Sequence, residues 1–383
     1  MRHLAVYLDY AAATPLDKRV ETAMRPLSKT VFHNPSALYR AGREAKKILE
    51  EGARAEVAKL VGARAGEVVF TAGGSEANNL AIQGVMRQWP DGEVIVSAVE
   101  HESVIRPAGL FSNKSLPVTS EGYAREDVLK KLVTPKTVLV CVMLVNNEIG
   151  ALQPLRKISR LLAEERKRRR QAGENRPLWL HADACQAANY FDLNIHRLGA
   201  DLMSLNGGKI YGPKQTGALV VRAGVKLRPL ILGGGQEFNL RSGTENVAGA
   251  VGFATALGLA QAGRRAESQR LAQLRDQFIK SISQRVPAAR LNGPVGRRSP
   301  NNAHFTFPGQ DNERLLFALD ERGIQAATGS ACSAAKQDIS HVLLATGLSE
   351  AEARASLRFT FGRQTTKRDI KLAAQVVSEL VTS

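Results

Sequence analysis

Leu178-Trp179-Leu180-His181-Ala182-Asp183 is an apolar run that ends on a carboxylate. A second run, Asp201-Leu202-Met203-Ser204-Leu205-Asn206-Gly207-Gly208-Lys209-Ile210-Tyr211-Gly212-Pro213, delivers an amine, Lys209, twenty-six residues beyond Asp183. Runs this apolar on both faces suit strands covered on each side, and the spacing is about one crossover unit of a parallel sheet. The same texture recurs outward along the chain, at Glu67-Val68-Val69-Phe70, Val94-Ile95-Val96, 137–145 and 218–221, with longer helical patterns between. The predicted class is α/β, with a largely parallel sheet between layers of helices.

Beyond about Gly249 the pattern changes. A helix is predicted over 259–286, carrying Leu271, Leu274, Phe278 and Ile282, followed by a Pro/Gly/Arg/Asn-rich stretch over 292–302 and a strand over 303–307. A second, smaller α+β lobe accounts for this. The length agrees: 383 residues, 44% of them apolar, exceed what one core usually takes.

Charge is the unusual bulk property. With 53 Lys plus Arg against 36 Asp plus Glu, the formal net charge is +17, which favours anionic ligands, acidic partners or nucleic acid without choosing among them. The densest run, Arg166-Lys167-Arg168-Arg169-Arg170, reads first as a solvated helix end, then as a surface for an acidic protein. Direct nucleic-acid binding is disfavoured, because no aromatic-interleaved motif accompanies the charge. Cys141, Cys185 and Cys332 show neither metal-ligand nor disulfide-framework spacing, so no metal is expected and a reducing cytoplasm fits. The longest apolar run, 138–145, is far short of the ~20 residues that span a bilayer, and no signal peptide or membrane segment is expected.

Ligands of a parallel sheet collect where strand ends meet helix starts. Thr71-Ala72-Gly73-Gly74-Ser75-Glu76 follows the strand ending at Phe70 and opens a helix through Leu80, Ile82 and Met86. Its glycines admit an anion, Ser75 is placed to cap the helix, and the free N–H groups suit a phosphate; an ordinary Gly-rich turn fits the same residues. Asp183 needs a strong partner, either a protonated pyridine nitrogen or a loop. Lys209 arrives in a turn of small residues that leaves room around its amine, whereas most lysines are solvated. His101 can lie flat on an aromatic ring and Asn147, in Asn146-Asn147-Glu148-Ile149-Gly150, can bond a phenolic oxygen; singly, each also reads as a satisfied structural residue.

Taken together with Tyr7-Leu8-Asp9-Tyr10-Ala11-Ala12-Ala13-Thr14-Pro15, Arg241-Ser242-Gly243-Thr244, Gly329-Ser330-Ala331-Cys332 and Arg358-Phe359-Thr360-Phe361-Gly362-Arg363, these motifs cover nearly the whole chain. They resemble the cysteine desulfurases, of the class V aminotransferase group within fold-type I pyridoxal-phosphate enzymes. The resemblance implies a large domain over 16–255 with a mostly parallel seven-stranded sheet. It implies a small α+β domain from 1–15 and 256–383 that carries the cysteine loop.

Carried over by position, the resemblance implies that Lys209 holds pyridoxal 5'-phosphate covalently and that Asp183 pairs with its pyridinium nitrogen. Gln186 and Asn147 address the phenolic oxygen, and His101 stacks on the ring and manages the substrate thiol proton. Gly74, Ser75 and Asn206 hold the phosphate, helped by Thr244 from a second subunit of a homodimer. Asn34, Asn147 and Arg358 bind L-cysteine, with Arg358 as a bidentate clamp on its carboxylate.

Cys332, among Gly329, Ser330, Ala331, Ser333, Ala334 and Ala335, lies in a segment with little to bury, unlike Cys141 in its apolar strand; Cys185 reads as core too. The expected reaction takes sulfur from cysteine, leaves alanine and a persulfide on Cys332, and passes that sulfur to an acceptor protein such as an iron–sulfur scaffold or a tRNA-thiolation relay. A selenocysteine lyase or another class V aminotransferase would share the cofactor residues without needing Cys332. One departure stands out: the family usually has Ser-Gly-His before the lysine, and here the run is Asn206-Gly207-Gly208. Asn206 still offers a donor, so the departure bears on cofactor affinity more than on reaction type.

Overall fold

The computed structural model describes residues 5–329 and 339–382. Twelve strands are described: β1 (Val6–Tyr7), β2 (Val68–Thr71), β3 (Glu93–Ser97), β4 (Asn113–Leu116), β5 (Thr137–Cys141), β6 (Trp179–Asp183), β7 (Leu202–Asn206), β8 (Gly217–Val221), β9 (Arg290–Leu291), β10 (Asn302–Thr306), β11 (Ile324–Gln325) and β12 (Ser356–Thr360). Seven of them form one sheet in the order β2-β8-β7-β6-β5-β3-β4. All neighbours are parallel except β8, which runs antiparallel to both β2 and β7. The expected mostly parallel seven-stranded sheet is what the chain forms.

Every residue of β5 and β8 is buried, which is why those runs show no alternation of apolar and polar positions. The strand expected over 137–145 stops at Cys141. Its continuation still pairs with β6, since Val142 and Leu144 donate to the carbonyls of His181 and Asp183 at 3.0 and 2.8 Å. That pairing ends at Asn146, whose side chain turns the chain by accepting the amides of Glu148 and Ile149, both at 2.9 Å.

The helix expected to begin at 259 begins earlier. It runs unbroken over Val247–Arg285, with Asn246 capping it by accepting the Gly249 amide at 2.9 Å. Its first half, Ala250, Phe253, Ala254, Ala256, Leu257 and Ala260, joins the core of the large sheet. Its second half, Leu271, Leu274, Phe278 and Ile282, joins a separate core against the antiparallel sheet β12-β10-β9, where Phe278 packs on Phe359 with ring centroids 4.9 Å apart. One rod thus serves two cores, and the small Ala and Gly residues of its first half let it lie close to its neighbours.

The basic run on the helix Leu155–Gln171 is partly internal rather than a solvated face. Arg169, 2% exposed, donates to the carbonyls of Thr134 and Thr137, and Arg166 is paired with Asp201. Arg168 bridges Glu165 and Glu174 at the surface. Among the described residues no helix is long and apolar enough to cross a membrane.

Candidate active site

The carboxyl ends of the parallel strands converge on one cleft of about 630 Å³ including its open mouth. Its wall includes Gly74, Ser75, His101, Asn147, Asp183, Gln186, Asn206, Lys209 and Arg358. These come from β2, β3, β5, β6, β7 and β12 or the turns that follow them. Nearly all the expected cofactor residues are therefore brought together.

Lys209 ends a tight turn that Asn206 closes by accepting the Gly208 amide at 2.9 Å. Its Nζ reaches back to the carbonyls of Ala11 and Ala12 at 2.8 and 2.6 Å, so the N-terminal motif furnishes the resting place of the amine. Burial lowers the Lys209 pKa from its ordinary value, and the Arg358 guanidinium acts in the same direction. Gln186 donates to the same Ala11 carbonyl at 2.9 Å.

Asp183, 7% exposed, ends β6 with both oxygens engaged: Oδ1 accepts the Cys185 amide at 2.9 Å and Oδ2 accepts Asn78 Nδ2 at 2.7 Å. Asn78 also donates to Ser103 Oγ at 2.8 Å, while its own Oδ1 is buried without a partner. Ser103 in turn donates its amide to His101 Nδ1 at 3.1 Å, which leaves the neutral imidazole protonated on Nε2. Burial lowers the His101 pKa, with Asp183 opposing. The chain Asp183, Asn78, Ser103, His101 joins two candidate residues through two that the sequence did not single out.

At the other end of the cleft the helix Gly74–Met86 begins without a side-chain cap. Its N-cap is Gly73, at φ +138, so Ser75 lies within the first turn and does not cap the helix as expected. A Cβ at Gly74 would meet Cys185 Sγ at 2.5 Å, so a side chain there would have to displace the thiol. Cys185 is consequently not core: it is partly exposed and lines the cleft, because the chain turns immediately past β6. Burial raises its thiol pKa well above the ordinary value.

Arg358 on β12 is 1% exposed; its Nη2 donates to Asp9 Oδ1 at 2.7 Å and its Nη1 to the Asn147 carbonyl at 3.0 Å, leaving Nε buried and unpartnered. Beside the site Glu100 is wholly buried: Oε1 accepts the Met143 amide at 2.6 Å and Oε2 has no partner. Burial pushes its pKa up to about 8.

Three expectations fall elsewhere. Thr244 is exposed and lines a neighbouring cavity of about 700 Å³, open mouth included, with Arg241, Gly243 and Thr216. Asn34 is exposed and spends its side chain on the Ser36 amide at 2.8 Å, outside the cleft wall. Cys332 lies outside the described residues. Among the described residues no group of three or more His, Cys, Asp or Glu is placed to hold a metal ion.

The donor set fits pyridoxal phosphate. A lysine amine, a buried carboxylate, an imidazole and an uncapped helix start bordered by an amide lie around one cleft, which matches an aldehyde, a pyridinium nitrogen, a ring face and a phosphate.

The Aminotransferase class-V family model matches residues 6–372. The cysteine desulfurase IscS of Dictyoglomus turgidum is 41% identical over 98% of this chain and 94% of its own length. A solved NifS-like protein superposes with a TM-score of 0.89 at 29% identity, covering 99% of each chain. A structure described as SspA in complex with cysteine gives 0.79 at 33% identity, covering 93% of this chain and 98% of the other.

Proposed function

The chain belongs to the class-V aminotransferase family and is a cysteine desulfurase within it, and we propose that Lys209 carries its pyridoxal phosphate and Cys332 receives the sulfur. The observation that carries this reading is the convergence of Lys209, Asp183, His101 and Arg358 on one cleft that ends at an uncapped helix start. When bound, pyridoxal phosphate supplies an electron sink for the pair left at Cα.

This chain's residues do the rest. Arg358, which lines the cleft, takes the substrate carboxylate, and Asn147 assists in binding. Asp183 faces the pyridinium nitrogen, Gln186 and Asn147 the phenolic oxygen, and Gly74, Ser75 and Asn206 the phosphate. Lys209, whose burial favours the neutral amine, accepts the α-proton. His101, its proton already on Nε2, offers that N–H to the substrate sulfur. Cys332 as thiolate then attacks the substrate sulfur: an S–S bond forms, the Cβ–S bond breaks, and its electron pair stays with the carbon that leaves, once protonated, as alanine.

The exposed Thr244, which lines a cavity other than the one Lys209 lines, supports a homodimer in which it serves the partner's phosphate site. The two cores support a cofactor domain over 16–255 and a small domain from 1–15 and 256–383. The persulfide passes to an acceptor protein, an iron–sulfur scaffold or a thiolation relay, in the cytoplasm. Borohydride reduction followed by peptide mapping tests the cofactor assignment: the added mass should lie on the Lys209 peptide, and its presence on another lysine would refute it.

A further inference from the structure

The loop that leaves β5 is clamped by side chains that bond its backbone. Asn146 Oδ1 accepts the amides of Glu148 and Ile149, Asn302 Nδ2 donates to the Glu148 carbonyl at 2.7 Å, and Gly150 completes the turn at φ +73. Held this way, Glu148 points inward and is 1% exposed. A carboxylate is costly to bury unless strong hydrogen bonds meet it.

What meets it is a hydroxyl: Ser340 Oγ donates to Glu148 Oε2 at 2.5 Å. Ser340 is itself fixed as the cap of the helix His341–Ala345, accepting the Leu343 amide at 3.2 Å, and His341 Nε2 meets the Glu100 carbonyl at 2.9 Å. From the other side Gly329 approaches so closely that a Cβ there would stand 3.2 Å from the same Oε2. Gly329 and Ser340 bracket the stretch that contains Cys332, and both abut one oxygen of one carboxylate. Asn147, the preceding residue, holds Arg358 through its carbonyl.

We propose that Glu148 is a positioning residue for sulfur transfer: it bonds Ser340 at one end of the stretch carrying Cys332 and lies against Gly329 at the other, and so, from the loop that holds Arg358, sets where the thiol meets the substrate sulfur. The inference rests on Cys332 being the sulfur acceptor. Displacing a nucleophile by a fraction of an ångström slows its attack steeply while leaving substrate binding to other groups.

The test compares the cofactor-loaded parent with Ser340→Ala, which removes the donor, Ser340→Thr, which keeps a hydroxyl, and Glu148→Gln, which keeps the shape and removes the charge. Rapid mixing with cysteine gives the amplitude and half-saturation of the visible spectral change, and quenched samples analysed by mass give the rate at which sulfur appears on Cys332. In Ser340→Ala and Glu148→Gln the spectral response should stay within about twofold of the parent while sulfur appears on Cys332 about tenfold or more slowly, and Ser340→Thr should recover most of the rate. Parent-like rates in both slow candidates, a spectral response that falls in step with the rate, or no recovery in Ser340→Thr would each overturn the proposal. The parent alone tests the reading beneath it, since sulfur mapped to another residue there removes Cys332 whatever the variants do.

Discussion

Arg358 Nη2 and Asp9 Oδ1 lie 2.7 Å apart, and this pair binds the C-terminal strand β12 to the N-terminal segment whose Ala11 and Ala12 carbonyls hold Lys209. The guanidinium proposed to clamp the substrate carboxylate is thus oriented by a residue more than three hundred positions away. Asp9→Asn weakens a charge-assisted hydrogen bond worth about 1.5–3 kcal/mol, so the KM for cysteine should rise about tenfold or more, with a smaller change in kcat. Steady-state kinetics checks this, and an unchanged KM would show that the Asn147 carbonyl alone orients Arg358.

Lys209 carries the second prediction. The parent protein should absorb visible light with its cofactor attached, and Lys209→Ala should lose turnover by about 10³-fold or more, even where cofactor still binds noncovalently. Absorbance and alanine release are the measurements. Activity near the parent's would take the α-proton transfer away from this amine.

The outline of the fold and two poles of the site were legible because strand ends in a parallel sheet mark ligand positions, and Asp183 and Lys209 end β6 and follow β7. Asn78 and Ser103 were not singled out: each sits inside a helix, where a polar side chain looks like any other. Asn78 stands four positions after Gly74, on the same helix face, and that periodicity was the available signal. Cys185 was misread because one residue of turn separates the core of β6 from the cleft. The cap was misplaced because Gly73 at φ +138, and not a hydroxyl, starts the helix, a choice that leaves the N–H groups open. The start of the helix Val247–Arg285 was hidden by an Ala- and Gly-rich first half that lacks the large residues of a periodic stripe.

Gly208 offers a gain of function. A Cβ there would meet Asn206 Oδ1 at 3.5 Å and Lys214 Cγ at 3.8 Å, ordinary contacts, so a side chain fits without moving backbone. Gly208→His adds one donor beside the proposed phosphate end, and a charge-assisted hydrogen bond of about 1.5–3 kcal/mol corresponds to cofactor held about tenfold or more tightly. Equal cofactor retention on dialysis would mean that Asn206 already compensates.

Glu100 makes stability depend on pH. Its carboxyl is raised by burial to about 8 from an ordinary 4.5, so between those values the folded chain keeps a proton that the unfolded chain has released. This contribution opposes folding increasingly as pH rises from about 4.5 to about 8 and is constant above. Glu100→Gln removes the titration, so the Tm of the variant relative to the parent should be more favourable at pH 8 than at pH 5 by a few degrees. A pH-independent difference would show that Glu100 is ionised in the folded protein.

The most direct measurement is alanine formed per active site by Cys332→Ser, alongside the mass of the Cys332 peptide in the parent after exposure to cysteine. Serine keeps the size but is barely ionised near neutral pH and forms no persulfide. The variant should still change colour with cysteine, since Lys209, Asp183 and Arg358 are intact, yet release no alanine beyond background, while the parent peptide gains one sulfur atom. Normal turnover in Cys332→Ser, or the extra sulfur on Cys141 or Cys185, would contradict the account.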